Sequence, residues 1–193
     1  REILFKQGIA EVEEAQAALE PKAHVDALTG LPNRRAFEDH LVREIAKAKR
    51  DRSKELWVLV LDLDNFKNAN TQLGHDGGDD LLKRVAKHVT QAMRSSDLAA
   101  RVGGDEFFFI LTESTADAAS VVAQRLITSV QSAVSEVNSL GVNVGVTASV
   151  GYAKYDPDSD IEGEFIVQLA DRAMYQAKDA GKNCARMYVP KES

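Results

Sequence analysis

The stretch RVGGDEFFFI, residues 101–110, places two adjacent carboxylates between a pair of glycines and a run of apolar residues. The apolar residues on both sides predict a β-hairpin over 98–111, with Gly103, Gly104, Asp105 and Glu106 at its tip. Carboxylates at an exposed tip need no function, because Gly and Asp are common turn residues. Carboxylates held against a core, however, need a partner, because burying an unpaired charge is costly.

A second acidic pair stands at the end of another predicted strand. ELWVLVLDLD, residues 55–64, is a short continuous apolar run, which is typical of a strand buried on both faces. Asp62 and Asp64 are two residues apart, so their side chains share a face. Carboxylates from two elements of one sheet are the oxygen ligands that hard divalent cations prefer. The two acidic pairs together predict a metal site, and a bound cation would offset the cost of burying Asp105 and Glu106.

The remaining patterns alternate between helices and strands. Asn33 is the predicted N-cap of a helix that runs to about Arg50, and Ser114 with Asp117 resembles a capping box for a helix that stops at Gly141. Further predicted helices are 65–72, 75–93 and 162–180, and further predicted strands are 143–153 and 184–189. A hairpin in the middle of this mixed order requires an at least partly antiparallel sheet. The prediction is therefore an α+β fold rather than a Rossmann fold.

Residues 3–20 have helical periodicity, with Phe5, Ile9, Val12 and Leu19, together with Gln16, in alternating steps of four and three. This pattern fits either a short coiled-coil seam or a helix that lies on its own domain. Pro21 ends or kinks the helix. We therefore expect an N-terminal signalling helix or linker over 1–25 and one domain over 26–190. Because the sequence begins at Arg1 rather than Met, we also expect a longer parent protein.

Composition narrows the class of partner. The 193 residues are 44% hydrophobic and 28% charged, which is ordinary for a soluble globular protein, and the net charge of −6 argues against a nucleic-acid groove. An anionic ligand would need local help from a metal or from a few Lys and Arg. The single cysteine, Cys184, cannot form an internal disulfide, which favours a reducing, cytoplasmic setting. No apolar run reaches transmembrane length, so no membrane contact is expected within this sequence.

The residues after the second acidic pair predict a phosphate site. The stretch is not a calcium EF-hand loop, because Phe66 and Lys67 stand where that loop needs an oxygen ligand and a glycine, and no P-loop motif occurs. Asp64 could cap the next helix and so direct the N–H groups of Asn65, Phe66 and Lys67 outward, as a phosphate cradle. Carboxylates, metal and cradle together predict a nucleoside triphosphate bound with magnesium.

Five ordered motifs resemble the GGDEF domains, the diguanylate cyclases of bacterial signalling. GGDEF itself is 103–107, and DALTGLPNRR, DLDNFKNANTQLGHDGGDDLL, RVGGDEFFF, SVGYA and AMYQAKDAGKN follow one another along residues 26–184 as successive signatures of that family. The resemblance implies a mostly antiparallel sheet flanked by helices, with a ferredoxin-like core similar to nucleotide cyclases and polymerase palm domains.

The resemblance also implies a reaction, in which two GTP condense to cyclic di-GMP and two pyrophosphates. Each domain would hold one GTP, and each 3′-hydroxyl would attack the α-phosphate held by the other copy of a homodimer. The copies would meet through the domain face and the N-terminal helix. The implied location is the bacterial cytoplasm, as part of a larger sensor protein that is either membrane-bound or free.

Site residues follow from the resemblance position by position. It implies two Mg²⁺ or Mn²⁺ ions per GTP-bound half-site, held by Asp62, the Leu63 carbonyl, Asp105 and Glu106. Glu106 would also assist deprotonation of the 3′-hydroxyl, and Lys67 would steady transition-state charge. The residues expected to contact the substrate are Asn65, Phe66, Lys67, Asn70, His75, Asp79, Lys178 and Lys182.

Two positions depart from the family pattern. Lys182 stands where the family usually has Arg, which replaces a bidentate fork with a point charge. Thr71 replaces the usual Asp, and we expect little effect.

The spacing of Arg94 and Asp97 in RSSD resembles the inhibitory product site of the family, with Arg125 as an additional contact. An arginine at a helix end beside an Asp turn is the plainer interpretation of the same residues. The rival function is a catalytically silent domain that binds GTP or cyclic di-GMP and regulates an adjacent domain. The presence of Asp62, Asp105 and Glu106 favours the enzyme.

Overall fold

The structure is a computed structural model and describes residues 22–160 and 162–190. After a 3-10 turn at Lys22–His24, the helices are α1 (Arg34–Arg50), α2 (Phe66–Gln91), α3 (Ala116–Asn138) and α4 (Gly163–Asp179). The strands are β1 (Leu56–Asp64), β2 (Leu98–Gly103), β3 (Glu106–Thr112), β4 (Thr147–Lys154) and β5 (Ala185–Met187). The predicted N-terminal helix lies outside the described residues, so it stays a prediction.

One five-stranded sheet, in the order β2-β3-β1-β4-β5, forms the centre of the domain. Strand β1 pairs antiparallel with β3 and β4, β2 pairs antiparallel with β3, and only the β4–β5 pair is parallel. The predicted α+β class and the mostly antiparallel sheet are confirmed. In antiparallel neighbours the C-terminal end of one strand meets the N-terminal end of the other. The end of β1 therefore meets the start of β3.

The two faces of the sheet carry separate cores. Side chains alternate along β1, so Leu59 and Leu61 pack with α2 and α3, whereas Val58 and Val60 pack with α1 and α4. Asp62 and Asp64 continue the second set. The two carboxylates accordingly lie on the face that α1 and α4 cover, as their spacing predicts.

Gly151 allows α4 to lie unusually close to β4. A Cβ at this position would come within 2.1 Å of both the Ala170 carbonyl oxygen and the Met174 nitrogen. No side chain fits there unless the helix moves away. The close contact fixes α4 over the sheet, and its last turn then lies beside the end of β1.

The two helices expected over 65–72 and 75–93 are confirmed as the two parts of α2, which are separated by Gly74 in a non-helical conformation with φ +72°. The predicted cap of α3 needs correction. The N-cap of α3 is Thr115, whose hydroxyl accepts from the Ala118 N–H. Ser114 is buried and donates instead to the Thr112 carbonyl, so it is not part of a capping box.

The predicted strand 143–153 pairs only from Thr147 onward. Before Thr147 the chain still alternates, because Val144 and Val146 are buried in the core beneath α2 and α3 whereas Asn143 and Gly145 are exposed. In the described ranges, no helix is long and apolar enough to cross a membrane.

Candidate active site

Strand pairing brings the two acidic pairs together at one end of the sheet. Asp62 stands opposite Glu106 in the β1–β3 register, and the Leu63 N–H donates to the Asp105 carbonyl over 3.1 Å. Because Leu63 already bonds to the hairpin backbone, the tip is held against the end of β1. The acidic groups that the sequence places 41 to 44 residues apart thus belong to one cluster.

Lys178, on the last turn of α4, reaches this cluster from the side. Its Nζ lies 2.9 Å from Asp62 Oδ2 and 3.2 Å from Asp64 Oδ1. Burial acts to lower the pKa of Lys178, but the neighbouring Asp62 and Asp64 carboxylates outweigh it and raise that pKa. Lys178 is therefore a permanent positive charge beside the acidic cluster.

The cluster remains short of positive charge in spite of Lys178. Burial, and then the charge of Asp62, raises the pKa of both Asp105 and Glu106. Asp62 Oδ1 is buried and accepts no hydrogen bond from the described residues. These three carboxylates fit the binding of a divalent cation, whose charge would stabilise the ionised forms of Asp62, Asp105 and Glu106. In the described part of the chain, no three His, Cys, Asp or Glu side chains are already arranged around one metal position.

Asp64 has a different role from the one that the sequence predicted. It is buried, and its oxygens accept from the hydroxyls of Thr147 and Ser149 at 2.8 Å each and from the Asn183 N–H at 3.2 Å. Asp64 therefore does not cap α2. The N-cap is Asn65, which holds a left-handed conformation with φ +62° and makes no side-chain cap.

The N-terminus of α2 still presents free donors, since the first N–H groups of a helix have no partner within it. Asn68 and Ala69 donate to the Asn65 carbonyl, which leaves Phe66 and Lys67 as the residues at the open end. Phe66 is buried in the core and Lys67 is exposed. The predicted helix N-terminus is present, although its cap differs, and its use as a phosphate cradle stays a prediction.

The residues expected to bind the base lie around the kink of α2. Asn70 packs against Gly78, where a Cβ would come 1.8 Å from Asn70 Oδ1, so glycine makes room for the amide. His75 and Asp79 are exposed and one helical turn apart. Lys182 is exposed in the loop after α4, and its Nζ lies 3.4 Å from Asn65 Oδ1.

The residues of the predicted product site meet in the loop between α2 and β2. Asp97 accepts from the backbone N–H groups of Arg94 and Thr112, at 3.2 and 3.3 Å. Arg125 of α3 donates to the carbonyl of Ala92, the C-cap of α2. The structure thus brings Arg94, Asp97 and Arg125 to one loop and leaves the Arg94 side chain exposed.

Sequence reasoning missed a clamp behind the hairpin. Arg101 donates to the Gly104 carbonyl at 2.8 Å and to both oxygens of Asp26 at 3.0 and 3.1 Å. Asp26 in turn accepts from the N–H and hydroxyl of Thr29. The Asp-x-x-Thr spacing of an Asx turn was the only local signal, and nothing in the sequence indicates its link to residue 101.

Two further charged residues face the cluster from the helices. Burial and the Asp62 charge raise the pKa of Asp171 on α4, and Arg34 of α1 lies near enough to Glu106 to act against the rise in its pKa. Asp171 lies seven residues, or about two helical turns, before Lys178, so both are on one face of α4. That spacing was the signal that could have identified Asp171.

Comparisons with known proteins agree with this geometry. The sequence model of the family described as "Diguanylate cyclase, GGDEF domain" matches residues 23–184. Among curated proteins of Pseudomonas aeruginosa, cyclic di-GMP phosphodiesterase NbdA is 38% identical over 92% of this chain, and diguanylate cyclase DgcP is 36% identical over 84%. The chain spans only 22% and 23% of their lengths.

Solved structures give the same result. The crystal structure of the GGDEF domain of DgcB from Caulobacter crescentus, in complex with c-di-GMP, is 32% identical with a TM-score of 0.78. The match covers 86% of this chain and 96% of that one. The acidic strand ends, the hairpin motif and these matches lead to one conclusion: the chain belongs to the GGDEF domain family of diguanylate cyclases.

Proposed function

We propose that this domain is an active diguanylate cyclase that joins two GTP molecules into cyclic di-GMP and releases two pyrophosphates. The observation that carries the proposal is the cluster of Asp62, Asp105 and Glu106, which lacks enough positive charge from the residues that the structure describes. A structural cluster would be satisfied by its own neighbours. This one lies beside the open N-terminus of α2, where a triphosphate can bind.

Different residues around the cluster would bind the phosphates and the base of the substrate. The N–H groups at the start of α2, with Lys178 and Lys182, would hold the phosphates, and Lys67 would steady charge that develops at the α-phosphate. Asp79 would accept from the N1–H and N2–H groups of guanine, which adenine lacks, with Asn70 and His75 beside it. These assignments make GTP the preferred substrate.

Asp62, Asp105 and Glu106, with the Leu63 carbonyl, would hold Mg²⁺ or Mn²⁺. When bound, the ion would neutralise phosphate charge and make the 3′-hydroxyl more acidic. Glu106 would accept the proton of that hydroxyl, since its carboxylate would lie beside the ion. One domain holds one GTP, so cyclisation requires a second copy that faces the first.

The test is GTP turnover with Mg²⁺ on the chain fused to a strong coiled coil, with the nucleotide products identified. We expect cyclic di-GMP from the parent and a loss on the order of 10²- to 10⁴-fold in Asp105→Ala, which removes one carboxylate and no core packing. Asp117→Ala is the matched control, because Asp117 is an exposed acid in the first turn of α3, at the opposite end of the sheet. Turnover by Asp105→Ala at the parent rate would contradict the proposal.

A second candidate is a nucleotide-binding domain that regulates an adjacent domain. It is favoured by the 38% identity with NbdA, a protein named as a phosphodiesterase. GTP binding without any product, from a sample shown to be dimeric, would support this candidate over the enzyme.

We further propose that cyclic di-GMP binds at Arg94, Asp97 and Arg125 and inhibits the domain.

A further inference from the structure

Asp64 is the most fully bonded carboxylate near the candidate site. Its side chain is buried and accepts from Thr147, Ser149, the Asn183 N–H and Lys178. Two of these four donors, Thr147 and Ser149, belong to β4 and bind Asp64 to the sheet. The other two belong to the segment that would face the phosphates, so Asp64 connects the rigid sheet to that segment.

The segment after α4 holds an unusual backbone conformation. Gly181, Lys182 and Asn183 have consecutive φ values of +110°, +65° and +50°. A left-handed conformation costs a non-glycine residue about 1 kcal/mol or more and persists only where the surroundings enforce it. Here the Asn183 N–H is bound by Asp64, and the Lys182 N–H donates to the Ala177 carbonyl at 3.0 Å.

Asn65 holds the same loop from the other side. Its Oδ1 lies 3.4 Å from Lys182 Nζ, and its Nδ2 donates to the Gly145 carbonyl at 3.1 Å. The side chain therefore bridges the lysine and the segment before β4. Both lysines expected to bind phosphate are thus oriented by neighbours at the end of β1, Lys178 by Asp64 and Lys182 by Asn65.

We infer that Asp64 and Asn65 are positioning residues that hold Lys178 and the 181–183 loop in place for a polyphosphate group. The inference rests on the proposed function for the identity of the ligand. An ionised carboxylate suits this role because it only accepts hydrogen bonds, and all four neighbours of Asp64 are donors. An amide would direct its own N–H groups toward one pair of those donors and repel them.

The consequence is a change in how affinity depends on phosphate number. The probes are 3′-deoxyGTP and 3′-deoxyGMP, which cannot react, with affinities measured by calorimetry in the presence of Mg²⁺. We expect Asp64→Asn to weaken 3′-deoxyGTP binding by about tenfold or more, the equivalent of one ionic hydrogen bond, and to leave 3′-deoxyGMP binding almost unchanged. A general loss of stability would weaken both probes together.

Two further variants keep the test decisive. Thr147→Val removes one hydroxyl bond to Asp64 but neither of its links to Lys178 and the loop, so we expect the triphosphate preference of the parent. Asn65→Gly keeps the left-handed backbone at no steric cost and loses only the side-chain bridge, so we expect a smaller loss of about threefold for the triphosphate alone.

The outcomes separate this inference from the proposed function. If the parent binds 3′-deoxyGTP no better than 3′-deoxyGMP, the proposed function fails. If the parent shows the preference and Asp64→Asn retains it, the inference is wrong and the proposed function stands. If Asp64→Asn does not fold, Asn65→Gly decides, and an unchanged triphosphate preference there overturns the inference.

Discussion

Two carboxylates near the hairpin, Asp26 and Asp105, have opposite electrostatic environments. Burial acts to raise the pKa of Asp26, but bonds from Thr29 and Arg101 outweigh it, and the pKa is lowered. Burial also raises the pKa of Asp105, and there the nearby Asp62 charge adds to the rise, which Lys178 only partly offsets. The two residues are linked through Arg101, which binds both Asp26 and the Gly104 carbonyl next to Asp105.

The difference separates an acid that is satisfied by its described neighbours from one that is not, as the proposed metal site requires. Asp26 finds its full complement of donors within the chain, so its charge stabilises the fold. Among the described residues, Lys178 offsets only part of the negative charge of the cluster around Asp105. The pKa of Asp26 in the clamp is thus lowered, whereas the pKa of Asp105 in the candidate site is raised. Carboxyl groups with raised pKa values are often found at functional sites.

The largest stability effect is expected at the clamp. Arg101→Met keeps the aliphatic stem but removes the guanidinium that donates to Asp26 and to the Gly104 carbonyl. The side chains of Arg101 and Asp26 are only 14% and 18% exposed, so we expect a loss of about 2–3 kcal/mol in the free energy of unfolding. Chemical denaturation measures it, with Lys54→Met as the control, because the Lys54–Glu113 pair is exposed on both sides.

The pH dependence checks the cause of that loss. A lowered folded-state pKa gives stability that is present above the unfolded value, about 3.9, and is lost as pH falls through the folded value. The difference in free energy of unfolding between the parent and Arg101→Met is therefore expected to become smaller below about pH 4. A difference that stays constant into acid would mean that the arginine acts through packing and not through its charge.

The opposite sign is expected at Asp105. A raised folded-state pKa means that the ionised form costs stability, and this cost appears as pH rises above the unfolded value of about 3.9. In the absence of metal and nucleotide, Asp105→Asn is expected to melt a few degrees above the parent at neutral pH, with no difference in acid. Added Mg²⁺ is expected to reduce this difference in melting temperature, because the cation stabilises the parent, which has the full set of carboxylates, more than it stabilises Asp105→Asn.

Thermal denaturation in EDTA and then in Mg²⁺ measures both effects. A variant that melts below the parent at neutral pH would show that Asp105 already has a satisfying partner within the chain. The comparison between the clamp and the site would then fail.

The sequence predicted those parts of the fold that depend on local patterns. The apolar run at 55–64, the hairpin tip and the Asn33 cap all appear where periodicity and turn chemistry placed them. The shared face of Asp62 and Asp64 follows from the two-residue repeat of a strand and was equally predictable. Family motifs added the order of the site residues along the chain.

The errors share one physical cause, which is competition between possible partners. Asp64 has the right chemistry for a helix cap, but β4 supplies two hydroxyls that a sequence cannot place beside it. Ser114 and Thr115 are both good caps, and only the fold, which buries Ser114, makes Thr115 the cap of α3. The clamp between Asp26 and Arg101 spans 75 residues, and local signals carry no information about such a pair.

The smallest effect on stability is expected at Arg94, which tests a third kind of acidic environment. Asp97, like Asp26, is satisfied within the chain, but by backbone N–H groups, whereas the Arg94 side chain is exposed. Arg94→Ala is therefore expected to change the free energy of unfolding by less than about 0.5 kcal/mol and to keep GTP turnover.

Inhibition of Arg94→Ala by added cyclic di-GMP is expected to be lost, which turnover assays at increasing product concentration measure. Asp97→Ala, in contrast, leaves two backbone donors unpaired and is expected to lower stability by about 1–2 kcal/mol. Unchanged inhibition in Arg94→Ala would leave the loop with a structural role only, because the exposed guanidinium is the group there best placed to bind the anionic product.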